Sequence, residues 1–332
     1  MATLITGGAG FVGLALAERL IADGDRVVLF DLAAPQALAR PELAGMRFVG
    51  GDIRSAADID RALGTEAIDR VVHAAAITPN EQRERTHARD IVDVNIGGTV
   101  NLMERIAACG GVARVVALSS VAVYGFSSPH PSDAYEEELS PPAPAALYGI
   151  TKLAAEQAAL RLGHLHGLDV RVARLGPVYG RWEHATGLRD ALSPQHQVVQ
   201  AALEGREVVL PRAMHADWIY AGDVASGLAN LCRASALQHR IYHVGGGRMS
   251  DLVEWCGLVA ARWPSLGWRL ASPGEAPSVV YGMTQDRAPL SIARLQRDTG
   301  FVPAFDPQAA LADYLGWLGH DERGHDLQGQ VR

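Results

Sequence analysis

Lysine is almost absent from this chain of 332 residues: among its 30 basic residues only Lys152 is lysine, and every other one is arginine. A solvated surface position accepts either cation. A position that keeps lysine against such a bias points to a need for a compact ammonium with a tunable pKa, although chance survival of one codon accounts for it as well. Cysteine is scarce too. Cys109, Cys232 and Cys256 are odd in number, widely spaced and without a CxxC pair. That excludes a disulfide framework and any visible zinc site, and it reads as reduced thiols in a cytoplasmic protein with no metal. No stretch approaches the ~20 apolar residues of a membrane span, and residues 2–5 open directly into a strand-like run instead of a signal sequence. The expectation is a soluble, intracellular protein with no membrane partner. A basic excess is also lacking: the net charge of -7 offers nothing to a phosphate backbone, which excludes nucleic acid as a partner. What is there is globular in character, 48% hydrophobic and 20% charged with 35 glycines, so disorder, collagen and coiled coil are out.

Short apolar runs at residues 3–6, 26–30, 47–49, 70–73, 114–118 and 169–174 alternate with helical periods at 11–22, 55–63, 87–109 and 146–165. Strands separated by helices predict βαβ units and an α/β fold, a doubly wound parallel sheet (Rossmann type) covered on both faces. After Pro177 the rhythm becomes irregular, with helical periods at 197–203 and 307–318 and a strand near 208–210. The expected division is a dinucleotide-binding domain over 1–176, with 215–245 returning to it. A smaller C-terminal substrate-binding α/β cap takes 177–214 and 246–320, and 321–332 forms a polar tail.

The first strand runs into Thr6-Gly7-Gly8-Ala9-Gly10-Phe11-Val12-Gly13 and then a helix. Missing side chains at Gly7, Gly10 and Gly13 permit a tight turn and close approach of a pyrophosphate, while the helix N-terminus at Phe11 and Val12 presents amides and a positive dipole end. A glycine cluster alone also fits an ordinary strand–helix turn. Here Asp31 ends the second strand, where a carboxylate accepts ribose hydroxyls and repels a 2′-phosphate; Leu32 and Ala33 follow instead of arginine. That favours NAD over NADP as cofactor, against the plainer reading of Asp31 as a turn former. Asp52, followed by Ile53, lies after the third strand, where it can reach an adenine amino group or cap the next helix. His73-Ala74-Ala75-Ala76 ends the fourth strand with residues small enough for a ligand, or a helix, to press against.

Tyr148 and Lys152 stand four apart at the start of a helix, on one face and one turn from each other. A phenol is a poor base at neutral pH, and a neighbouring cation stabilises its phenolate. The alternative is a surface pair. The buried run at 115–118 ends in Ser119-Ser120 at the carboxyl end of a strand, where ligands of doubly wound sheets bind; Ser120 can hold a substrate oxygen there or merely form a turn.

On these motifs the chain resembles the extended short-chain dehydrogenase/reductases, the NAD-dependent epimerase/dehydratase family that includes UDP-glucose 4-epimerase. The residues that carry the likeness are TGGAGFVG (6–13), Asp31, Asp52-Ile53, HAAA (73–76), Asn95, SSVAVYG (119–125), YGITK (148–152), RLGPVYG (174–180) and DWIYAGD (217–223). The resemblance implies that Tyr148 is the acid/base, that Lys152 lowers its pKa and holds the nicotinamide ribose, and that Ser120 orients the substrate oxygen. It implies NAD contacts from Gly7, Gly10, Phe11, Val12, Gly13, Asp31, Asp52, Ile53, Ala74, Ala75, Asn95, Ser119, Tyr148, Lys152 and Pro177, and a homodimer through the helices near 87–109 and 146–165.

Departures from the family pattern narrow the reading. Val121-Ala122 follows Ser120 where dehydratases carry an Asp-Glu pair, which argues against dehydration. Pro177 replaces an asparagine that contacts a nucleotide-sugar diphosphate, and Ala216 replaces an arginine that clamps it. Both losses weaken the nucleotide-sugar reading. Residues 181–190 supply Arg181, Trp182, His184 and Arg189, a mixture that suits a small polyhydroxylated, carboxylate-bearing ligand held by Arg181, His184 and Arg189, or a surface loop tied by local ion pairs. His215 and His243 can reach the cap; His164 and His166 are expected to face solvent. The expected function is NAD-dependent hydride transfer at a secondary alcohol or ketone of a sugar, sugar acid or lactone. The alternatives are a nucleotide-sugar 4-epimerase and a non-catalytic NAD sensor, which would have no need of Ser120, Tyr148 and Lys152.

Overall fold

A computed structural model describes residues 1–35, 40–126 and 133–319; the expected polar tail at 321–332 lies outside them. Seven strands make one sheet: β1 (Ala2–Thr6), β2 (Arg26–Asp31), β3 (Arg47–Gly50), β4 (Arg70–His73), β5 (Arg114–Ser120), β6 (Val170–Leu175) and, returning after the cap begins, β10 (Ile241–Val244). Every pairing is parallel, in the order β10-β6-β5-β4-β1-β2-β3. The Val-rich runs of β2, β4 and β5 are buried continuously instead of alternately, because helices cover both faces. On one face lie α1 (Phe11–Ala22) and α8 (Ala221–Arg233); on the other lie α2 (Ala56–Leu63), α5 (Gly98–Cys109) and α6 (Leu147–His166). Two apolar clusters, around Leu16 and Leu228 and around Leu102 and Val115, fill the spaces between helices and sheet. Full burial of one such leucine is worth roughly 1.5–3 kcal/mol.

Strand order reverses at β1, between β2 on one side and β4 on the other, and a crevice opens at the carboxyl ends there. The short pair β7 (Val178–Tyr179) and β9 (Ile219–Tyr220) leads into the second layer. In it, β8 (Val208–Leu210) pairs with β11 (Trp268–Leu270), and α7 (Pro194–Leu203), α9 (Leu252–Arg262) and α11 (Pro307–Leu318) enclose a separate core built on Trp218, Trp255 and Tyr314. The short helix α10 (Ala293–Thr299) packs back on β10 and α8.

The expected single helix over 87–109 is broken. Two short helices, α3 (Glu81–Thr86) and α4 (Ala88–Val92), precede a π turn at Asp93–Gly97, and α5 begins after it. The wide turn aims Asn95 inward, where its side chain accepts from the Ile77 amide at 2.7 Å and donates to the Ile77 carbonyl and Thr151. Adjacent glycines follow, and a Cβ on Gly98 would stand 2.7 Å from Ile53. No helix among the described residues is long and apolar enough to cross a membrane.

Candidate active site

One cavity of about 1010 Å³ occupies the crevice. Its floor is the glycine loop. Gly7 holds a left-handed backbone (φ +66), and a Cβ there would strike Ala75 N at 2.6 Å; a Cβ on Gly13 would strike Gly7 O at 2.5 Å. Gly10 is the N-cap of α1 and no side chain caps that end, so the first-turn amides face the cavity unclaimed by side chains. Ser119 Oγ, on the same wall, is buried with no hydrogen-bond partner among the described residues. Backbone held close, open amides and an orphaned hydroxyl are what a bound dinucleotide requires, and the residues present fit NAD.

Asp31 lies at one end. Its carboxylate accepts from Ala9 N at 3.0 Å and Leu32 N at 2.8 Å, and burial pushes its pKa up against those bonds. Asp52 also lines the wall and is clasped by Arg54 at 2.6 Å. Ile53, Ala74, Ala75 and Pro177 complete this part of the lining.

At the opposite end β5 delivers Ser120, which caps the turn at Val121–Tyr124 by accepting from Ala122 N at 3.1 Å. The first turn of α6 delivers Tyr148, whose phenol feels the hydroxyls of Thr78 and Ser120. Burial pushes this phenol up; the two hydroxyls and the positive charge of Arg189 act the other way. Lys152, one turn further, is 6% exposed, and burial lowers its ammonium to about 8 while Glu156 pulls it upward. Its charge also bears on His73, which burial holds neutral at about 3 and which links Thr6 of β1 at 2.7 Å to Thr99 of α5 at 2.9 Å. Thr78, Ser120 and Arg189 thus lower the phenol while Tyr281 raises it, and Lys152, which lines the same cavity, lies beside Glu156. Glu156 in turn is locked in a buried ion pair with Arg174 at 2.6 Å.

Most of the expected residues converge on this cavity, and three are placed differently. Asn95 is buried off the wall, bracing Ile77 and Thr151. Arg181 is also off the wall and pairs with Glu18 and Asp313. His184 does line the cavity, but close enough to Asp31 for its charge to act on that carboxyl, at the end away from Tyr148. Arg189 pairs with Glu183 at 3.0 Å and lies over the Phe11 ring at 5.2 Å. His164 and His166 are exposed, His243 is fully buried on β10, and His215 pairs with Asp251.

Sequence reasoning missed Thr78, Tyr281 and Arg287. Arg287 is the most telling of them. It lines the cavity beside Tyr281, burial lowers its pKa, and its Nε is buried with no hydrogen-bond partner; no carboxylate pairs with it among the described residues. The guanidinium lies 4.8 Å from the centroid of the Phe126 ring. Nothing periodic marks it in sequence, since it comes from an irregular stretch before α10. Ala216, the position of the expected diphosphate clamp, is 1% exposed in the second core and hydrogen-bonded only through its backbone to Ser250. Among the described residues no group of three His, Cys, Asp or Glu side chains could hold a metal ion.

Comparison with known proteins places this geometry. Residues 3–245 match the profile of the NAD dependent epimerase/dehydratase family. The chain is 30% identical to a dTDP-glucose 4,6-dehydratase of Streptomyces griseus, over 95% of this chain and 93% of that protein. It is 32% identical to UDP-glucuronate 4-epimerase 3 of Arabidopsis thaliana, over 97% and 77%. The UDP-glucose 4-epimerase of Thermus thermophilus, solved in complex with NAD, superposes with a TM-score of 0.75 at 26% identity, covering 95% of this chain and 99% of that one.

Proposed function

Because the chain belongs to the NAD dependent epimerase/dehydratase family, it is an enzyme, its cofactor is NAD and its chemistry is hydride transfer on a carbohydrate; we propose that the substrate is a free sugar acid or lactone-derived acid, oxidised at a secondary alcohol. The observation that carries the substrate class is Arg287. A half-buried guanidinium without a carboxylate is held at a cost unless an anion completes it, and it stands on the same cavity as Tyr148. One forked donor suits one carboxylate. The absence of donors at Pro177 and Ala216 leaves a diphosphate with fewer partners.

Bound NAD supplies the hydride acceptor at its nicotinamide ring. The protein's residues do the rest. Ser120 fixes the substrate oxygen, and the Tyr148 hydroxyl takes the alcohol proton as the carbonyl forms, or returns it in reverse. Thr78, on the same cavity, helps to lower the phenol. Lys152 supplies a buried positive charge one turn away. Gly7, Gly10, Phe11, Val12 and Gly13 would hold the pyrophosphate, Asp31 the adenosine ribose, and Asp52, Ile53, Ala74, Ala75, Ser119 and Pro177 the remaining surface of the dinucleotide. Val121 and Ala122, apolar beside Ser120, offer no group to protonate a leaving hydroxyl, which separates this reading from a dehydratase.

A second reading, a nucleotide-sugar 4-epimerase, draws on the same Arg287 as a diphosphate partner and on relatives that carry such names. Absorbance at 340 nm separates the two. With excess NAD, sustained NADH formation from a uronic or aldonic acid supports the first. A flat trace with those acids, together with conversion of a UDP-hexose and no net NADH, supports the second.

The same reading includes a division near residue 176 into cofactor and substrate layers, a cytoplasmic location and a homodimer. Exposed Val92, Ile150 and Leu165, on or beside α4 and α6, support the dimer; sedimentation at micromolar concentration tests it, and a monomer would refute it.

A further inference from the structure

The segment 181–190 has the composition of a substrate selector, but its contacts lie elsewhere. One end is fastened to the helices that flank the adenosine end of the cavity. Arg181 pairs with Glu18 of α1 and with Asp313 of α11, and Trp182 Nε1 donates to the other oxygen of Glu18 at 2.6 Å. Trp182 is 2% exposed and keeps a left-handed backbone (φ 69), which a bulky residue adopts only when its surroundings impose it. Those surroundings are Glu18, Trp317 with ring centroids at 5.3 Å, and the Arg40 guanidinium at 5.5 Å.

The other end is fastened beside the catalytic tyrosine. Thr78 N donates to Leu188 O at 2.8 Å and Asp190 N to Thr78 O at 3.1 Å, a strand-like bridge. Arg83 grips both the Gly187 carbonyl at 2.7 Å and the Asp190 carboxylate at 2.7 Å, and Asn80 N adds a bond at 3.0 Å to the latter. Between the two anchors Trp182, His184 and Arg189 face the cavity. His184 Nδ1 is 2.8 Å from the Trp182 carbonyl, which fixes the ring near Asp31, and Arg189 lies over Phe11 at the start of α1.

We propose that residues 181–190 bind the cofactor and not the substrate: they form a strap pinned at both ends across the dinucleotide, with His184 set opposite Asp31 at the adenosine ribose and Arg189 above the pyrophosphate loop. Bound NAD is then enclosed by the glycine loop beneath and the strap above, and it leaves only when one anchor opens. In a net dehydrogenase this makes NADH release the slow step of turnover. The inference rests on NAD as cofactor and is independent of which carbohydrate is the substrate.

The test needs no substrate. NADH bound to the protein is chased with excess NAD, and the loss of its fluorescence is followed by stopped flow for the native protein, Glu18→Ala and Arg83→Ala. Neither Glu18 nor Arg83 lines the cavity. Loss of a charged anchor is expected to speed release at least about tenfold in each variant, with NADH entry accelerated alongside. Release within about twofold of the native rate at either anchor overturns the two-ended strap. Should one variant fail to fold by circular dichroism, the other decides the matter alone. His184→Ala keeps both anchors and is expected to speed release without speeding entry; an unchanged release rate removes the ribose contact. Because no carbohydrate enters the assay, its failure leaves the substrate reading standing, and failure of the substrate panel leaves the strap standing.

Discussion

Around the glycine loop the cavity wall is mostly backbone: a left-handed Gly7, the uncapped end of α1 and the close approach of Ala75. At the far end the wall is side chain, brought together from Thr78, Ser120, Tyr148, Tyr281 and Arg287, residues as far apart in sequence as 78 and 287. Backbone shape is dictated by where side chains are missing, and that leaves a mark at fixed local spacing. A constellation of distant side chains leaves none. We propose that the first end holds the cofactor, while the second carries the choice of substrate.

The sharpest way to break that division is at Tyr148. Tyr148→Phe is expected to lower kcat at least about 100-fold while the NAD dissociation constant, read by fluorescence quenching, stays within about twofold. Equal losses in both would mean that the phenol serves binding more than chemistry. Gly13→Ala attacks the other end. Its Cβ has no room against Gly7 O, and overpacking of roughly 1–3 kcal/mol translates into NAD binding weaker by about 10- to 100-fold. Unchanged binding by calorimetry would show that the loop yields.

Arg287→Gln is expected to raise KM for an acidic sugar about tenfold or more, with NAD binding intact. The same change removes a half-buried charge that has no carboxylate partner among the described residues, so the substrate-free protein is expected to melt at least ~2 °C higher; a lower Tm would mean that the guanidinium is satisfied after all. The smallest effect concerns Lys152, the only lysine. Its folded pKa of about 8 lies below the ordinary 10.5, so between those values the unfolded chain holds more protons than the folded one. Stability contributed by this group therefore rises as pH climbs from about 8 to 10.5, while kcat/KM falls as the ammonium is lost. Reductive methylation with a carbon-13 label marks Lys152 and the N-terminal amine alone, and an NMR inflection near 10 for the lysine would refute the shift.

The parallel sheet and most of the cofactor wall were legible in the sequence for the same reason. Val-rich buried runs such as 115–118, and glycines at 7, 10 and 13, obey periods and spacings that a one-dimensional pattern can carry. Asn95 shows what the period cannot carry: a π turn, invisible in the hydrophobic pattern, sets its side chain against the Ile77 backbone. Arg181 and His184 were grouped with the substrate because their chemistry fits a sugar. What decides their placement is Glu18, Asp313 and Asp31, none of them near in sequence. Arg287 was missed altogether: only the fold reveals that it has no carboxylate partner among the described residues.

We propose that the side-chain end of the cavity takes the anion of a free sugar acid. Calorimetric titration of the NAD-loaded protein with a uronic acid and, separately, with UDP tests it directly. Binding of the acid is expected, lost in Arg287→Gln, with no heat above dilution from UDP. Tight binding of UDP with none of the acid would contradict it.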